Sequence, residues 1–304
     1  MNDPEVSMIV LNWNGLDDTV ECLESVMEMT YPSYKVVVVD NASDGNDVEV
    51  LREKFGNQIQ VIENEKNCGV GEGFNIGIRY VMENHRPDYI LIMNNDLVVA
   101  PNCLDELVTA AEDDEKIGVV GPKIYFYDYN GKKDIIWSAG GRVRTWSLKI
   151  HTQIGEGDKD SPKYRAKADV DWITGCVMMF RSSLTEEVGL LNPWYFIGHE
   201  DIEFCLKARK RGYKIVFVPT AKAWHKVGVS REKANITFAD PSAYYYLIRT
   251  CFPLPVYVYH LLIMPVLMSR WAVLYLIRYR NIGPLKRFFT DLIGLVYGRK
   301  RRGL

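Results

Sequence analysis

The stretch KVVVVDNAS, residues 35–43, is a run of β-branched residues that leads directly into a polar turn. A short apolar run bounded by turn residues is typical of a strand that is buried on both faces. Similar runs predict further strands with helical patterns between them: the strands are Val6–Trp13, Lys35–Asp40, Ile59–Ile62 and Tyr89–Met93, and the helices are Leu16–Met29, Asp47–Phe55, Gly71–Glu83 and Asn102–Asp114. This alternation predicts an α/β fold with a mostly parallel, doubly wound sheet and helices on both faces.

Polar residues follow three of these strands at the point where each strand ends. They are Asn12 and Asn14 after the first strand, Asp40 and Asn41 after the second, and Asn94, Asn95 and Asp96 after the fourth. Ligands of such sheets bind at the carboxyl ends of the strands, so these residues are candidates for one shared site. Asparagine and aspartate also form turns without any ligand, and this is the alternative explanation of each loop. In a ligand site, Asp96 would offer the oxygen ligands that Mg²⁺ or Mn²⁺ accepts.

A glycine-rich stretch, NCGVGEGFNIG at residues 67–77, leads into the third predicted helix. Glycines at a helix start let backbone amides approach a diphosphate, so Asn67, Gly69 and Asn75 are candidate donor-binding residues. The G-x-G-x-x-G fingerprint of nicotinamide cofactors is not met, because its third glycine would fall at Ile76. The stretch also does not follow the first strand, which disfavours a nicotinamide-dependent oxidoreductase.

Two adjacent carboxylates, Glu200 and Asp201, stand at the start of a predicted helix, Ile202–Arg211. Acidic residues at this place cap a helix and oppose its dipole, which is the structural explanation. The aromatic loop at residues 194–196 runs directly into them, however, and this arrangement suits a general base beside a sugar-binding surface.

Two further residues complete the set of candidates. Gly175 interrupts a predicted strand, Trp172–Phe180, and His225 follows another, Tyr213–Pro219. A lone histidine is usually structural, but together with Asp96 it is a candidate metal contact.

The motifs described so far occur together and in order over residues 5–230, and as an ordered set they resemble glycosyltransferase family 2, especially its rhamnosyltransferase-like branch. The motifs are VSMIVLNWNG at 6–15, VDNAS at 39–43, Asn67-x-Gly69, Gly73-x-Asn75-x-Gly77, Asn94-Asn95-Asp96, Thr174-Gly175, Glu200-Asp201 and His225. The resemblance implies a GT-A fold, a nucleotide-diphosphate sugar donor, inversion at the anomeric carbon, and a divalent metal, Mg²⁺ or Mn²⁺.

The resemblance also implies roles for individual residues. It places Asp40 on the base or ribose of the nucleotide, and Asp96 on the metal and the diphosphate. It makes Asp201 the catalytic base with Glu200 beside it, and it lets His225 join the metal shell. The family often has a second aspartate two residues before the metal-binding one, where this sequence has Asn94; this departure puts the affinity and identity of the metal in question.

Besides the disfavoured oxidoreductase, two alternatives to this function stay open, one within glycosyl transfer and one from another class. A polyprenyl-phosphate glycosyl synthase would transfer the sugar to a lipid phosphate instead of a hydroxyl. A non-catalytic nucleotide-sugar-binding scaffold at the membrane would not need the carboxylates that this chain retains. A hydrolase would need a paired acid and base across the scissile bond, whereas one carboxylate suffices for transfer.

Composition and charge divide the chain into two parts. Its 304 residues are 47% hydrophobic and 25% charged, as in globular proteins, and the net charge of -2 argues against nucleic acid as a partner. Residues Arg270–Leu304 carry nine basic side chains and one acidic one, a formal charge of +8, so the remainder carries -10. We predict a glycosyltransferase domain at 1–235 and a helical, apolar and basic region at 236–304 that contacts an anionic membrane surface.

The uncharged stretch Thr250–Ser269 is long enough to span a membrane. Its three prolines favour interfacial or re-entrant helices on the cytoplasmic face of the cell membrane, with a transmembrane span as the alternative. An enzyme held in this way would meet a lipid-linked glycan or a cell-surface polysaccharide precursor as its acceptor. The six cysteines form no C-x-x-C pair, so free thiols are expected instead of a zinc site or disulfides.

Overall fold

The computed structural model describes residues 3–227 and 241–263 of the chain. Contacts divide the chain into two compact units. The first comprises Met1–Arg142 and Gln153–Thr237, and the second comprises Val143–Thr152 and Phe238–Leu304.

Strands and helices alternate along the first half of the chain. The strands are β1 Val6–Asn12, β2 Tyr34–Asp40, β3 Ile59–Glu63, β4 Tyr89–Asn94, β5 Leu97–Val99, β6 Ile117–Phe126, β7 Ile136–Ser138, β8 Gly141–Val143, β9 His151–Gln153, β10 Ala168–Val170, β11 Val177–Arg181 and β12 Lys214–His225. The helices are α1 Leu16–Met27, α2 Asp47–Phe55, α3 Val70–Asn84, α4 Cys103–Glu112, α5 Leu184–Glu187, α6 Glu200–Lys210 and α7 Pro241–Cys251. Residues 254–263 are also helical. Short 3-10 helices lie at Gly56–Gln58 and Pro162–Tyr164.

Ten of the described strands form one sheet in the first unit. Its main path has the order β10-β12-β6-β11-β4-β1-β2-β3, while β5 pairs with β12 and β7 pairs with β6. Strands β4, β1, β2 and β3 are mutually parallel, and β6 is parallel to β12. Strand β11 lies between these two groups and is antiparallel to both of its neighbours. The predicted α/β fold with a mostly parallel sheet is therefore confirmed.

Helices cover both faces of the sheet because its strands are apolar on both sides. Val10 and Val38 face a buried cluster that includes residues of α1, α2 and α4. Alternate residues on the same strands face α3, whose Gly77 lies so close that an added Cβ would be 2.5 Å from Ile9 Cγ2 and 3.0 Å from Val39 Cγ2. Full burial of one such aliphatic side chain contributes about 1.5–3 kcal/mol, so this packing fixes the strands that carry the site.

Two strands differ from their predicted bounds, and the longest unpredicted strand is β6, which lies inside the sheet. The residues before Val177 form a turn instead of a strand, with the Cys176 amide donating to Thr174 Oγ1 at 3.3 Å. Strand β12 continues to His225 and pairs with β5 and β6 along the way. Strand β6 is absent from the predictions because Gly118, Gly121 and Pro122 interrupt its apolar run.

The described part of the second unit consists of α7, the helical segment 254–263 and the hairpin segment 143–152. Ile150, Ile248 and Val256 form its buried apolar cluster, and the Tyr244 hydroxyl accepts a hydrogen bond from the Ile150 amide at 3.0 Å. Helix α7 ends at Cys251, so the uncharged stretch that begins at Thr250 is broken before residue 254. Within residues 3–227 and 241–263, no helix has the length and apolarity to cross a membrane. Residues 264–304 of the predicted membrane-contacting region lie outside the described residues.

Candidate active site

The ends of five strands bring the predicted residues to one edge of the sheet. Strand β1 ends at Asn12, directly beside Asp40 at the end of β2. Strand β4 ends at Asn94. Because β11 is antiparallel to β4, the turn that contains Gly175 lies at the same edge. Strand β12 ends there too, at His225, which pairs with the strand that follows Asp96.

Asn12 is fully buried and connects the loops after β1, β2 and β4. Its amide nitrogen donates to Asp40 Oδ2 at 2.7 Å and to Asp47 Oδ2 at 3.0 Å. Its Oδ1 accepts from Thr19 Oγ1 at 2.8 Å and from Asn95 Nδ2 at 3.0 Å. Both ends of the Asn12 amide are thus used within the protein, so this side chain positions the loops around it.

The turns after β1 and β2 are tied into one wall. Asp40 is 3% exposed, and its two oxygens accept from the Ser43 amide at 2.9 Å and the Ser43 hydroxyl at 2.7 Å. Asn14 exchanges two hydrogen bonds with Asp44, at 3.0 Å from its Nδ2 and at 2.7 Å to its Oδ1. Asn14 has a φ of 50°, a left-handed conformation that asparagine adopts more readily than most residues.

Asn41 organises the glycine-rich loop in the same way. Its Nδ2 donates to Asn67 Oδ1 at 2.9 Å, and its Oδ1 accepts from Asn64 Nδ2 and from the Cys68 amide, both at 3.0 Å. Asn67 Oδ1 also accepts from the Gly69 amide at 2.9 Å. These two asparagines therefore hold the loop that precedes α3.

The glycine-rich loop in turn holds the aromatic loop. Gly69 has a φ of 82°, and an added Cβ would lie 2.6 Å from the Phe196 carbonyl oxygen. The next amide, that of Val70, donates to this same oxygen at 2.7 Å. Asn75 is 2% exposed and bonds to both backbone groups of Leu191, donating at 2.8 Å and accepting at 3.0 Å. Gly69 and Asn75 thus both contact the loop before α6.

Asp201 joins the Gly175 turn to the start of α6. Its Oδ2 accepts from the Gly175 amide at 2.7 Å, and its Oδ1 accepts from the Ile202 amide at 2.8 Å. Asp201 is partly exposed, whereas the neighbouring Glu200 is 6% exposed. Of the two carboxylates, Asp201 is therefore the one that solvent or an acceptor can reach.

Asp96 and His225 form a buried pair. His225 Nε2 lies 3.2 Å from Asp96 Oδ1, and both side chains are less than a tenth exposed. Burial alone would raise the pKa of Asp96, but the contact with His225 and the charge of that ring outweigh burial, and the pKa lies below its ordinary value. The sulfur of Cys176 lies 3.4 Å from His225 Nε2, and the ring of Trp137 packs edge-on against the imidazole with centroids 4.4 Å apart.

Lys226 anchors the chain directly after His225. Its ammonium contacts Asp18 Oδ1 at 2.7 Å and Glu21 Oε2 at 2.5 Å, both on α1. Burial alone would lower the pKa of Lys226, but the hydrogen bonds to these two carboxylates raise it above the ordinary value. Its amide also donates to the Asp96 carbonyl oxygen at 3.0 Å, so Lys226 fixes the end of β12 beside the buried pair.

A family model described as glycosyltransferase-like family 2 matches residues 4–240 of the chain. The chain belongs to this family. It is therefore a glycosyltransferase, as its resemblance implies. It is 24% identical over 234 residues to the low-salt glycan biosynthesis hexosyltransferase Agl10 of Haloferax volcanii, covering 77% of this chain and 71% of that protein. It is also 24% identical over 237 residues to the N-acetylglucosaminyl-diphospho-decaprenol L-rhamnosyltransferase of Mycobacterium tuberculosis, covering 73% of this chain and 74% of the relative.

Solved structures show the same fold. GalNAc-T7 with UDP, GalNAc and Mn²⁺ superposes with a TM-score of 0.61 at 21% identity, over 74% of this chain and 44% of that one. Residues 1–349 of TarS from S. aureus in complex with UDP-GlcNAc give a TM-score of 0.54 at 18% identity, over 81% of this chain and 64% of that one. The glycosyltransferase thus spans less than two thirds of either structure, and at these identities the likeness concerns the GT-A fold.

Within the described part of the glycosyltransferase, the surroundings of Asp96 suit a divalent metal. Asp96 Oδ1 is buried and, among the described residues, has no well-formed hydrogen bond, although His225 lies close to it. A cation at this oxygen would satisfy it, and carboxylate and imidazole are both common ligands of divalent metals. The part of the chain that the structure describes contains no cluster of three or more His, Cys, Asp or Glu side chains arranged to hold a metal. Asp96 and His225 would therefore bind the metal together with donor oxygens.

Several residues of this edge were not foreseen from the sequence. Asp47 shares the Asn12 amide with Asp40, and its only signal was its place at a helix start. Cys176 follows Gly175, and Lys226 follows His225, so each lies next to a motif residue. Trp137 comes from β7, a short strand without a sequence signal. The predicted donor-binding roles of the asparagines and glycines remain predictions, since their described contacts are with protein.

Proposed function

We propose that this glycosyltransferase moves a sugar from a nucleotide-diphosphate donor to an acceptor hydroxyl, with inversion at the anomeric carbon. One observation carries the proposal: Asp201 and the Asp96–His225 pair flank the two adjacent residues Gly175 and Cys176. The Gly175 amide donates to Asp201 at 2.7 Å, while the Cys176 sulfur lies 3.4 Å from His225. The carboxylate that we propose as the base and the pair that we propose for the diphosphate are therefore neighbours at the edge where ligands of such sheets bind.

Asp201 takes the proton of the attacking hydroxyl in this mechanism. The acceptor oxygen forms a bond to the anomeric carbon, the bond from that carbon to the diphosphate oxygen breaks, and its electron pair leaves with the diphosphate. The proton passes to the Asp201 carboxylate, which the Gly175 and Ile202 amides hold in one orientation. A base that is fixed in this way loses no orientational freedom in the transition state.

Asp96 and His225 act on the leaving group. Asp96 Oδ1 and His225 Nε2 lie 3.2 Å apart, so one cation could contact both side chains, with the imidazole neutral as a ligand. A divalent cation held in this way, Mg²⁺ or Mn²⁺, would stabilise the negative charge that develops on the diphosphate. The structure of GalNAc-T7, which has a similar fold, contains Mn²⁺ and supports this choice of metal.

The proposed acceptor is a lipid-linked glycan at the cytoplasmic face of the membrane. The M. tuberculosis relative is named for a decaprenol-linked substrate, and the +8 charge of residues 270–304 suits an anionic surface. A lipid phosphate as acceptor is the competing case. Because a phosphate monoester is already anionic near neutral pH, transfer to it would not need Asp201 as a base.

The test compares Asp201→Asn with Asp17→Asn, an exposed carboxylate in the first turn of α1. With a panel of nucleotide sugars and lipid-linked acceptors, release of nucleoside diphosphate should fall about 10²–10⁴-fold in Asp201→Asn, the usual effect of losing a general base. Asp17→Asn should match the wild type. If Asp201→Asn transfers to a lipid phosphate at the wild-type rate, the hydroxyl acceptor is wrong; if no wild-type preparation turns over any donor, a binding scaffold is the better description.

A further inference from the structure

Large apolar side chains that face solvent are concentrated in the second unit. Seven such residues in the described chain are at least 40% exposed, and five of them belong to this smaller unit: Trp146 at 61%, Leu148 at 52%, Leu254 at 71%, Val258 at 42% and Leu262 at 74%. We call these five residues the apolar edge. Single exposed apolar residues are ordinary, but a group of them marks a surface that contacts another apolar phase.

The members of the apolar edge are arranged on two elements that are held together. Leu254, Val258 and Leu262 are four residues apart, so they lie along one face of the helical segment 254–263. Trp146 and Leu148 lie on the hairpin segment 143–152, which interrupts the catalytic unit in sequence.

Two residues of the helical segment bind this hairpin. The Tyr259 hydroxyl donates to the Trp146 carbonyl oxygen at 3.1 Å, and the two rings meet edge-to-face with centroids 5.4 Å apart. His260 is fully buried, and its Nε2 lies 3.0 Å from the Thr145 carbonyl oxygen. The hairpin and the helix therefore present their exposed apolar residues as parts of one packed unit.

The net charge of the second unit indicates which kind of apolar surroundings it contacts. The second unit has twelve basic and two acidic residues, a formal charge of +10, so the first unit carries -12 in a chain of -2. In its described part, residues 143–152 and 241–263, the basic residues Arg144, Lys149 and Arg249 are all exposed, and there is no acidic residue. Apolar side chains flanked by lysine and arginine match the interface of an anionic bilayer.

We propose that the apolar edge inserts into the headgroup region of an anionic lipid bilayer. Tryptophan at the hairpin seeks this interface, and the leucines reach the acyl boundary below it. The proposal deepens the proposed function and rests on it for the identity of the acceptor, but it assigns lipid contact to residues 146–148 as well as to the C-terminal part.

The experiment uses the full chain and two double variants, Trp146→Ser with Leu148→Ser, and Leu254→Ser with Leu262→Ser. Tyr129→Ser is the matched control, because Tyr129 is 41% exposed but lies in the first unit. Each protein is floated with vesicles of phosphatidylcholine alone and of phosphatidylcholine mixed with phosphatidylglycerol. We expect each double variant to bind the anionic vesicles about tenfold more weakly, from the apolar area that it removes from the lipid, and the control to bind like the wild type.

A second measurement keeps the fold unchanged. Lipids brominated near the headgroup should quench part of the tryptophan fluorescence of the wild type, and Trp146→Phe should lack that quenched component. Unaltered flotation of both double variants, or equal quenching in Trp146→Phe, overturns the proposal. The proposal is also wrong if the wild type is a dimer and the double variants are monomers that float like the wild type. The apolar edge would then join two copies of the chain.

Donor turnover is measured on every variant with a water-soluble acceptor or with water. If the double variants turn over donor at the wild-type rate and float like the wild type, lipid contact by the apolar edge is wrong and the proposed function stands. Weakened flotation in a protein that turns over no donor would support the apolar edge and reject the proposed function.

Discussion

Replacement of Gly69 by alanine tests whether the glycine-rich loop positions the aromatic loop before α6. Gly69 has a φ of 82° and a ψ of 176°, a region that is essentially restricted to glycine and costs other residues about 1–3 kcal/mol. The added Cβ would also stand 2.6 Å from the Phe196 carbonyl oxygen. Gly131→Ala is the matched control, because Gly131 has a φ of 78° but has nothing within 4 Å of the added Cβ.

The difference between the two variants isolates the contact with Phe196. Ordinary contact begins near 3.4 Å, so the two backbones must separate by roughly 0.8 Å. That shift lengthens the 2.7 Å hydrogen bond from the Val70 amide, which contributes about 0.5–1.5 kcal/mol. Misplacement of a positioning loop by about 1 Å can cost up to 10²-fold in rate. We therefore expect Gly69→Ala to lose about 10–100-fold in kcat/KM for the acceptor.

The assay measures kcat/KM for acceptor at saturating donor, together with thermal unfolding of both variants. Gly131→Ala should keep wild-type kinetics, and any loss of stability that it shows gives the cost of a positive φ alone. Equal kinetics in Gly69→Ala and Gly131→Ala would refute the claim that the Gly69–Phe196 contact positions the site. A kinetic loss in both variants would point to global destabilisation instead.

Three further predictions concern charge and exposure. Asp96→Asn should weaken metal-dependent donor binding in calorimetry. Because the pKa of Asp96 is depressed in the folded protein, its charge contributes stability above the ordinary pKa of 3.8, and this stability is lost as the pH falls below that value. If the unfolding of the variant depends on pH in the same way as that of the wild type, this prediction is wrong. Lys226→Met should lower the free energy of unfolding by about 1–3 kcal/mol in denaturant titrations, because it leaves Asp18 and Glu21 without their cation; a change below about 0.5 kcal/mol would contradict it. A thiol reagent should label Cys68 alone in the native protein, because the other five cysteines are buried, and further labelling should need unfolding.

The first half of the fold follows from the sequence because its strands are continuous apolar runs. The runs at β1, β2 and β4 end in polar residues, and this change of composition marks both the strand and its end. Strand β6 lacks such a run, since Gly118 and Pro122 divide it, and its place in the sheet comes from pairing with β11 and β12. Pairing between distant segments is a tertiary property that local periodicity does not encode.

The sequence predicts where the candidate site lies in the fold, but it does not predict which hydrogen bonds its residues form. Position after a strand is enough to bring Asn12, Asp40 and Asp96 to one edge, because parallel strands share a direction. Position does not say which partner a side chain takes once it is there. Asn41 and Asn75 satisfy their amides on neighbouring loops, and a short-range pattern cannot distinguish such a residue from one that meets a ligand.

Asn94 shows how one substitution in the metal motif changes the electrostatics of the whole site. An aspartate at this position would add a second carboxylate beside Asp96, whereas the Asn94 amide donates to the Cys176 sulfur at 3.4 Å. A metal-bound imidazole is neutral, so the Asp96–His225 pair offers a dication only the single negative charge of Asp96. A nucleoside diphosphate brings the missing negative charge, so metal and donor are expected to bind together. The asparagines around this pair bond to neighbouring loops, so they fix the shape of the site, and the substrate is expected to supply the charge that the metal needs.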